Sequence, residues 1–324
     1  MAANFAAENK EADTFTFSVC PKCEKAHPKL IRGGISRGKQ LYRCKNCNKR
    51  FVTNHGQLRF YSHQPQDKWN EVIADTIEGN VSIEKTAAKI DVNPVTAFRM
   101  RHKLLHALGI SQEDVNLNGI EELDEKYFGI SHKGMRSQVI PGKKRGSNAG
   151  KRGLSKEQIC IMTGGERNGR SNSYARAYSM GKVNEDDAMK LGKHIDDNSS
   201  CLTDAAVEYR KMIESRNGKW HIAKLGECDN VYHLNHVNNF HGMMEDVYNH
   251  YRGVSSKYIN RYAALFCVMR ECRGMDRTEI VIHVLKKLRK KCDCFFIRQI
   301  STDDVFAPAI EQLSFMEKEA LAKC

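Results

Sequence analysis

Apolar residues recur at helical spacing between residues 67 and 108, and this pattern predicts three helices. The inward faces of the first two helices are formed by Trp69, Val72, Ile73, Ile77, Ile83, Ala87 and Ile90. Gly79 ends the first helix, whereas Ser82 and Asn93 can cap the second and the third. Pro94 takes the first position of the third helix, where its missing N–H costs nothing. The pattern predicts a helix-turn-helix, although an ordinary three-helix bundle with a polar surface would also fit it.

A second pattern, of short apolar runs between polar segments, begins after residue 118. It predicts strands at 120–130, 158–163, 174–180, 201–203 and near 220–225, and helices at 184–194, 205–215 and from about 235. Three strands, a helix, and then alternating strands and helices is the order of an RNase H-like fold. Beyond Gly274 we expect an amphipathic basic helix, while Cys292 and Cys294 lack a partner pair and are interpreted as non-metal residues.

Two CxxC pairs precede the helices and form a candidate zinc site. Cys20 and Cys23 are separated from Cys44 and Cys47 by twenty residues, a spacing typical of zinc ribbons. Each pair can point two thiolates at one ion, and two pairs complete a tetrahedron. Since protein would fill all four positions, the zinc would be structural. Four unrelated reduced cysteines are the alternative.

The fold class expected is therefore α/β and multi-domain: a zinc ribbon, a helix-turn-helix and an RNase H-like mixed-sheet catalytic domain. We place the ribbon with its N-terminal tail at residues 1–62 and the helix-turn-helix at 63–110. The catalytic domain is placed at 119–273 and a C-terminal helical tail at 274–324. No apolar run approaches the roughly 20 residues of a membrane span, so no membrane partner is expected. The expected location is the cytoplasm of a bacterium or archaeon, or the nucleus of a eukaryote.

Positive charge is concentrated in two segments. The chain carries 52 Lys and Arg against 39 acids, a formal net charge of +13. Residues 20–59 hold eleven of these cations and one acid, and residues 131–156 hold eight cations and no acid. Such clusters indicate a nucleic-acid partner, although zinc ribbons also occur in proteins that bind only other proteins. Candidate DNA contacts, including residues expected to be exposed on the third helix, are Lys45, Lys49, Arg50, Thr96, Arg99, His102, Lys144, Arg145 and Arg152.

Two aspartates form the catalytic candidate. In the expected fold, Asp124 lies on the first, central strand and Asp204 ends the neighbouring fourth strand. Carboxylates held together repel each other unless a cation lies between them, and Mg²⁺ prefers such oxygen ligands. Two ions of this kind can stabilise the attacking and leaving oxygens of a phosphoryl displacement. For either aspartate alone, a helix cap or a turn is the alternative.

Several motifs resemble those of one transposase group. They are the segments at residues 124–128, 131–134, 144–146, 152–158, 232–241 and 253–258. The group comprises bacterial and archaeal insertion-sequence enzymes that join an N-terminal zinc ribbon to a DDE-type RNase H-like domain. The resemblance extends from about Cys20 to Arg270.

This resemblance implies an enzyme that uses Mg²⁺ or Mn²⁺ to nick DNA at the ends of a mobile element. Water is the first nucleophile, and the freed 3′-hydroxyl then attacks target DNA. Asp124 and Asp204 match the first two metal ligands, and Asn238 matches the third, where a subgroup carries Asn instead of Glu. Double-stranded DNA, as terminal inverted repeats and as target, is the expected partner. A homodimer or larger assembly is expected because two DNA ends must be brought together.

One position departs from the family pattern. The family usually has a Lys seven residues after the third ligand, where this chain has Glu245, and Ala205-Ala206 stands where Gly is common. Asn238, His241 and Glu245 share one helix face. Glu245 either replaces the missing carboxylate or is a surface residue. The alternatives to an active transposase are a catalytically inactive, transposase-derived DNA-binding regulator and an RNase H-fold nuclease that acts on RNA or junctions.

Overall fold

Three antiparallel strands form the N-terminal part of the computed structural model, which describes residues 17, 19–131, 133, 155, 157–167, 172–223, 233–288, 300 and 305–322. They are β1 (Leu30–Ser36), β2 (Lys39–Cys44) and β3 (Arg50–Val52). The core of this sheet is small and consists of Phe17, Cys20, Cys44 and Phe51. A core of this size contributes little stability, so the ribbon depends on the groups that link its two cysteine pairs.

Three helices follow the ribbon: α1 (Gln66–Glu78), α2 (Ile83–Lys89) and α3 (Pro94–Gln112). The sequence-predicted caps are confirmed, since the side chain of Ser82 accepts the N–H of Lys85 and that of Asn93 accepts the N–H of Val95. Gly79 adopts a left-handed conformation with φ 73° and ends α1.

A five-stranded mixed sheet forms the centre of the molecule. Its strands are β4 (Ile120–Gly129), β5 (Gln158–Glu166), β6 (Ser173–Met180), β7 (Ser200–Thr203) and β8 (Lys219–Ile222). They are arranged in the order β6-β5-β4-β7-β8, with β4–β5 and β5–β6 antiparallel and β4–β7 and β7–β8 parallel. The predicted RNase H-like fold is confirmed, and β4 is its central strand.

Helices cover both faces of this sheet. Between the strands lie α4 (Glu185–Gly192) and α5 (Arg210–Ser215), which pack with Leu123 and Cys201 on one face. After the sheet come α6 (Asn235–His250), α7 (Ile259–Glu271), α8 (Arg277–Leu288) and α9 (Ala307–Ala322). Residues of α6, α7 and α9 pack with Phe128 and Ile161 on the other face. Among the described residues, no helix has the length and apolar character needed to cross a membrane.

The helix-turn-helix is closely packed against the C-terminal helices. Leu104 and Leu108 of α3 share one hydrophobic core with Leu265 of α7 and Val284 of α8. The guanidinium of Arg277 on α8 also lies 2.7 Å from the buried carboxylate of Asp75 on α1. The predicted division into four domains stays a prediction, and residues of all four predicted units contribute to this one core.

Candidate functional site

The four cysteines of the CxxC pairs lie together at one end of the ribbon. Their sulfur atoms are all within 4.8 Å of one another, and the Sγ atoms of Cys20 and Cys47 are 3.9 Å apart. Four sulfurs bound tetrahedrally to zinc at about 2.3 Å stand about 3.8 Å apart, so the set fits an ion of that size. The cysteine cluster can therefore hold a metal ion.

Two matching turns build this cluster. The carbonyl of Cys20 accepts the N–H of Glu24, and the carbonyl of Cys44 accepts the N–H of Asn48, both at 2.9 Å. Glu24 and Asn48 are left-handed, with φ 57° and 55°. The N–H of Lys25, with the Asn46 amide, lowers the pKa of Cys23 to about 6, and the N–H of Cys47 lowers that of Cys44. Burial instead raises the pKa of Cys20 to about 12. The donors at Cys23 and Cys44 favour the thiolates that metal binding needs.

Strand β4 carries four carboxylates in a stretch of five residues, 121–125. Glu122 and Asp124 contact α6 on one face of the sheet, whereas Glu121 and Glu125 contact Cys201 and Tyr209 on the other. Because successive side chains of a strand alternate, one strand supplies acids to both faces.

Asp124 and Asp204 stand at corresponding positions of neighbouring parallel strands. Glu122 of β4 pairs with Leu202 of β7, and the two aspartates follow two residues later, Asp124 on β4 and Asp204 one residue beyond the end of β7. Both line a cavity of about 420 Å³. Burial, with a contribution from the charge of Asp204, raises the pKa of Asp124 to about 6. The predicted juxtaposition of the two aspartates is therefore present. Asp204 also accepts the N–H of Ala206 at 3.2 Å, which is the turn geometry of the alternative interpretation.

Glu125 lines the same cavity, although no sequence pattern indicated a role for it. The hydroxyl of Tyr209, a fully buried side chain, donates to its carboxylate. Burial raises the pKa of Glu125 to about 7, against the effect of this hydrogen bond. The cavity thus contains a third acid that holds a proton more tightly than usual.

Asn238 and Glu245 lie on one stripe of α6. Viewed down the axis of a helix with 3.6 residues per turn, Asn238 lies about 60° and Glu245 about 40° from His241, both in the same direction of rotation. Phe240 and Met244, on the opposite side, pack in the core shared with β5 and β6. The stripe therefore faces the side of β4 on which β7 lies. Asn238 is exposed there, and Glu245, whose side chain is 56% exposed, pairs with Lys126 at 2.7 Å. Their predicted roles as ligands stay predictions.

His241 connects α6 to the two central strands. Its Nδ1 is 3.5 Å from Oδ2 of Asp124, and its Nε2 is 2.7 Å from the hydroxyl oxygen of Thr163. Burial, with the nearby charge of Lys126, lowers the pKa of His241 to about 4, so the ring is neutral at pH 7.

A second group of possible ligands, Glu122, His233 and His236, has atoms within 4.8 Å of one another. One oxygen of the fully buried Glu122 accepts the N–H groups of His236 and Val237 at 2.8 and 2.9 Å. Its other oxygen accepts from Arg167 at 2.9 Å and contacts the His236 ring at 2.8 Å. Because an arginine cation and a helix N-terminus already satisfy this carboxylate, it fits a helix cap rather than a metal site. Glu122 thereby fixes the start of α6 to β4.

The candidate DNA contacts differ in accessibility. Lys45, Lys49, Arg50 and Arg99 are exposed and Thr96 is half-buried. The expected exposure of His102 is wrong: its side chain is buried, and its ring centroid lies 5.4 Å from that of Tyr258. The reason is tertiary, because the segment that leads into α7 covers this part of α3. Lys144, Arg145 and Arg152 lie outside the described residues.

Sequence patterns did not reveal the roles of Glu122, His241, Thr163 and Tyr209. Glu122 and Glu125 belong to a visible acidic run, which was the one available signal. The partners of these two acids lie 45 to 115 residues away in sequence, so no local spacing could indicate them.

The sheet order and the aspartates at neighbouring strand positions define an RNase H-like domain with an acidic site. Residues 116–271 match the family model described as the ISXO2-like transposase domain. This match, together with the curated relative described next, supports an insertion-sequence transposase of the DDE type.

One curated relative and several solved structures are similar to this chain. The relative is an uncharacterized protein in transposable element ISH50 of Halobacterium salinarum, 33% identical over 138 residues. The match covers 43% of this chain and 45% of the relative, so the chain spans less than half of that protein. The alignment with the crystal structure of the Mos1 strand transfer complex covers 74% of this chain and 79% of the Mos1 chain. The two are 14% identical, with a TM-score of 0.27. The alignment with a pre-cleavage Mos1 transpososome covers 74% of this chain and 80% of the other chain, at 13% identity and with a TM-score of 0.25. These two likenesses are too distant to support an inference.

Proposed function

We propose that this protein is a DNA transposase that binds element ends and performs metal-dependent strand cleavage and strand transfer. The observation that carries the proposal is the register of β4 and β7, which gives Asp124 and Asp204 corresponding positions on one cavity. Asp124 is half-buried and Asp204 is exposed on the wall of the same cavity. A cation bound between them would offset both their repulsion and the cost of burying the Asp124 carboxylate.

Asp124 and Asp204 would hold Mg²⁺ or Mn²⁺ through carboxylate oxygens, and Asn238 would add its amide oxygen. This donor set fits a hard cation that prefers oxygen. Such an ion, when bound, would stabilise the charge that develops on the attacking and leaving oxygens of a phosphodiester. Water would first break a phosphodiester bond at the element end and leave a 3′-hydroxyl. That hydroxyl would then attack a phosphodiester of the target.

The N-terminal part would hold the DNA. Zinc in the cysteine cluster would stabilise the ribbon, whose exposed Lys45, Lys49 and Arg50 would contact phosphates. Thr96 and Arg99 lie near the start of α3, the part of a recognition helix that reaches base edges. Two such chains, as a homodimer or a larger assembly, would bring two element ends together.

The test is strand cleavage by the full chain, loaded with zinc, on duplexes from the DNA that flanks its gene. With Mg²⁺ or Mn²⁺ we expect cleavage at the element end. We expect Asp124→Asn or Asp204→Asn to reduce the rate roughly a hundredfold to a thousandfold. Asp186→Asn, at an exposed position of α4, is the control and should cut at the wild-type rate.

Three other results would contradict the proposal in different ways. If the wild type binds these duplexes but never cuts them, the protein is a DNA-binding regulator. The neutral Asn238 and the pairing of Glu245 with Lys126 are the features that favour this second candidate. Cutting that does not depend on the terminal sequence would indicate a structure-directed nuclease. Equal cutting by the Asp124 variant would place the chemistry elsewhere.

A further inference from the structure

We propose that His241 is a further ligand of the catalytic ion and binds it through Nδ1 beside Asp124. This inference rests on the proposed function, because it assigns a ligand to the ion of the same site. His241 lies on α6, three residues after Asn238, and is 7% exposed. Its ring reaches both β4 and β5, the two strands at the centre of the sheet.

The hydrogen bonds of Thr163 determine which ring nitrogen carries the proton. The hydroxyl of Thr163 is 2.8 Å from the backbone carbonyl of Asp124 and 2.7 Å from Nε2 of His241. A carbonyl oxygen can only accept, so the single hydroxyl proton is donated to Asp124. The hydroxyl must then accept from the ring, which places the ring proton on Nε2. In a neutral imidazole with Nε2–H, the other nitrogen carries a lone pair.

That lone pair faces a carboxylate oxygen. Nδ1 is 3.5 Å from Oδ2 of Asp124, whereas Oδ1 of the same carboxylate accepts the N–H of Glu125 at 2.8 Å. Hydrogen bonds from N–H to oxygen measure about 2.7–3.2 Å, so this separation is longer than a hydrogen bond. Two atoms that bind one ion at about 2.1 Å stand about 3.0 Å apart at a right angle and about 3.4 Å apart at a tetrahedral angle. Two facing acceptors at this distance match neighbouring ligands of one cation.

The surroundings of the ring are those of a metal-binding histidine. Such residues almost always donate their other ring N–H to a protein acceptor, and Thr163 is that acceptor here. A neighbouring cation would oppose metal binding, but the ammonium of Lys126 is paired with Glu245. Imidazole nitrogen binds transition metals better than it binds Mg²⁺. A nitrogen ligand would therefore strengthen the site for Mn²⁺ more than for Mg²⁺, and would compensate for the neutral oxygen of Asn238.

Pulsed electron paramagnetic resonance of bound Mn²⁺ tests this directly, because a coordinated imidazole gives a nitrogen-14 modulation that oxygen ligands do not give. The sample is the full chain, loaded with zinc, with less than one equivalent of Mn²⁺. We expect the modulation in the wild type and its loss in His241→Gln, with Mn²⁺ affinity reduced about tenfold. His236→Gln is the matched control, because His236 lies on the same helix and contacts Glu122. It should keep both the modulation and the affinity.

Thr163→Val is a second variant that keeps the His241 ring. Removing the acceptor for Nε2–H should weaken Mn²⁺ binding by severalfold while the modulation persists. Thermal unfolding of each variant establishes that it folds. If Mn²⁺ binds in an Asp124-dependent manner but the wild type shows no nitrogen modulation, the assignment of His241 is overturned and the proposed catalytic site stands. If no Mn²⁺ binding depends on Asp124, both proposals are overturned.

Discussion

The two candidate metal sites of this protein are assembled in different ways. In the ribbon, four cysteine sulfurs lie within 4.8 Å of one another, and each pair is held by a turn of five residues. At the sheet, Asp124 lies on β4, Asp204 follows β7, and Asn238 lies on α6. Among the described residues, Asp124 and Asp204 form no group with a third His, Cys, Asp or Glu side chain in which all ligand atoms lie within 4.8 Å of one another.

This difference has an electrostatic counterpart. Backbone N–H groups stabilise thiolates in the ribbon, so two of its ligands have pKa values below the usual range. On β4, burial raises the pKa values of Glu121, Asp124 and Glu125. A closed sulfur site can be preformed, because its turns provide the donors. An open acidic site stores unfavourable charge that a cation or a substrate can relieve.

The largest expected effect is the loss of the ribbon when its ion is removed. Cys44→Ser should eliminate bound zinc and the fold of β1–β3, because the free energy of binding structural zinc, about 10–16 kcal/mol, is also folding free energy. Hydrogen exchange should show loss of protection in β1–β3 and retained protection in β4 and β5, and zinc analysis should find no ion.

Lys22→Ala is the control, because Lys22 lies inside the first cysteine pair and is exposed. It should keep zinc and protection. If Cys44→Ser left β1–β3 protected, the ribbon would be stabilised by its small apolar core, and the contrast with the acidic site would disappear.

A smaller effect concerns Glu121, a fully buried acid of β4. Burial raises its pKa from an ordinary value of 4.5 to about 7, with the neighbouring Ser199 hydroxyl and Cys201 thiol opposing the rise. Ionisation therefore costs the folded state free energy. The cost is absent below about pH 4.5, grows between pH 4.5 and 7, and is constant above that range. Glu121→Gln removes it, so the free energy of unfolding should rise by about 3 kcal/mol at pH 8 and by almost nothing at pH 4.

Urea unfolding at several pH values measures this difference. Glu185→Gln, at an exposed position with a distant surface partner, should change stability little at any pH. A gain for Glu121→Gln that was equal at pH 4 and pH 8 would show that packing, not charge, is responsible. The buried acids of β4 would then cost the folded state no free energy on ionisation, and the electrostatic difference from the ribbon would disappear.

The same distinction between local and tertiary assembly explains what the sequence could predict. The cysteine pairs and the caps at Ser82 and Asn93 depend on neighbouring residues, and the structure has them as predicted. The strand order also followed from pattern, and it brought Asp124 beside Asp204. His102 was predicted to be exposed, because nothing near it in sequence indicates the cover from Tyr258. The contacts of His241 depend on how α6 lies across β4 and β5, which no spacing encodes.

The smallest expected effect concerns the turn that carries Asp204. Ala205 has φ 76°, a left-handed conformation that costs a residue with a Cβ atom about 1–2 kcal/mol. Ala205→Gly relieves this strain but adds freedom to the unfolded chain, so the free energy of unfolding should rise by at most about 1 kcal/mol. Ala206 has φ −64°, and Ala206→Gly should lower stability by about 0.5–1 kcal/mol, because only the unfolded chain gains freedom. Chemical denaturation of both variants gives the sign of each change. Opposite signs would show that strain is stored beside a ligand of the acidic site, whereas a loss for both would mean that Ala205 is no more strained than its neighbour.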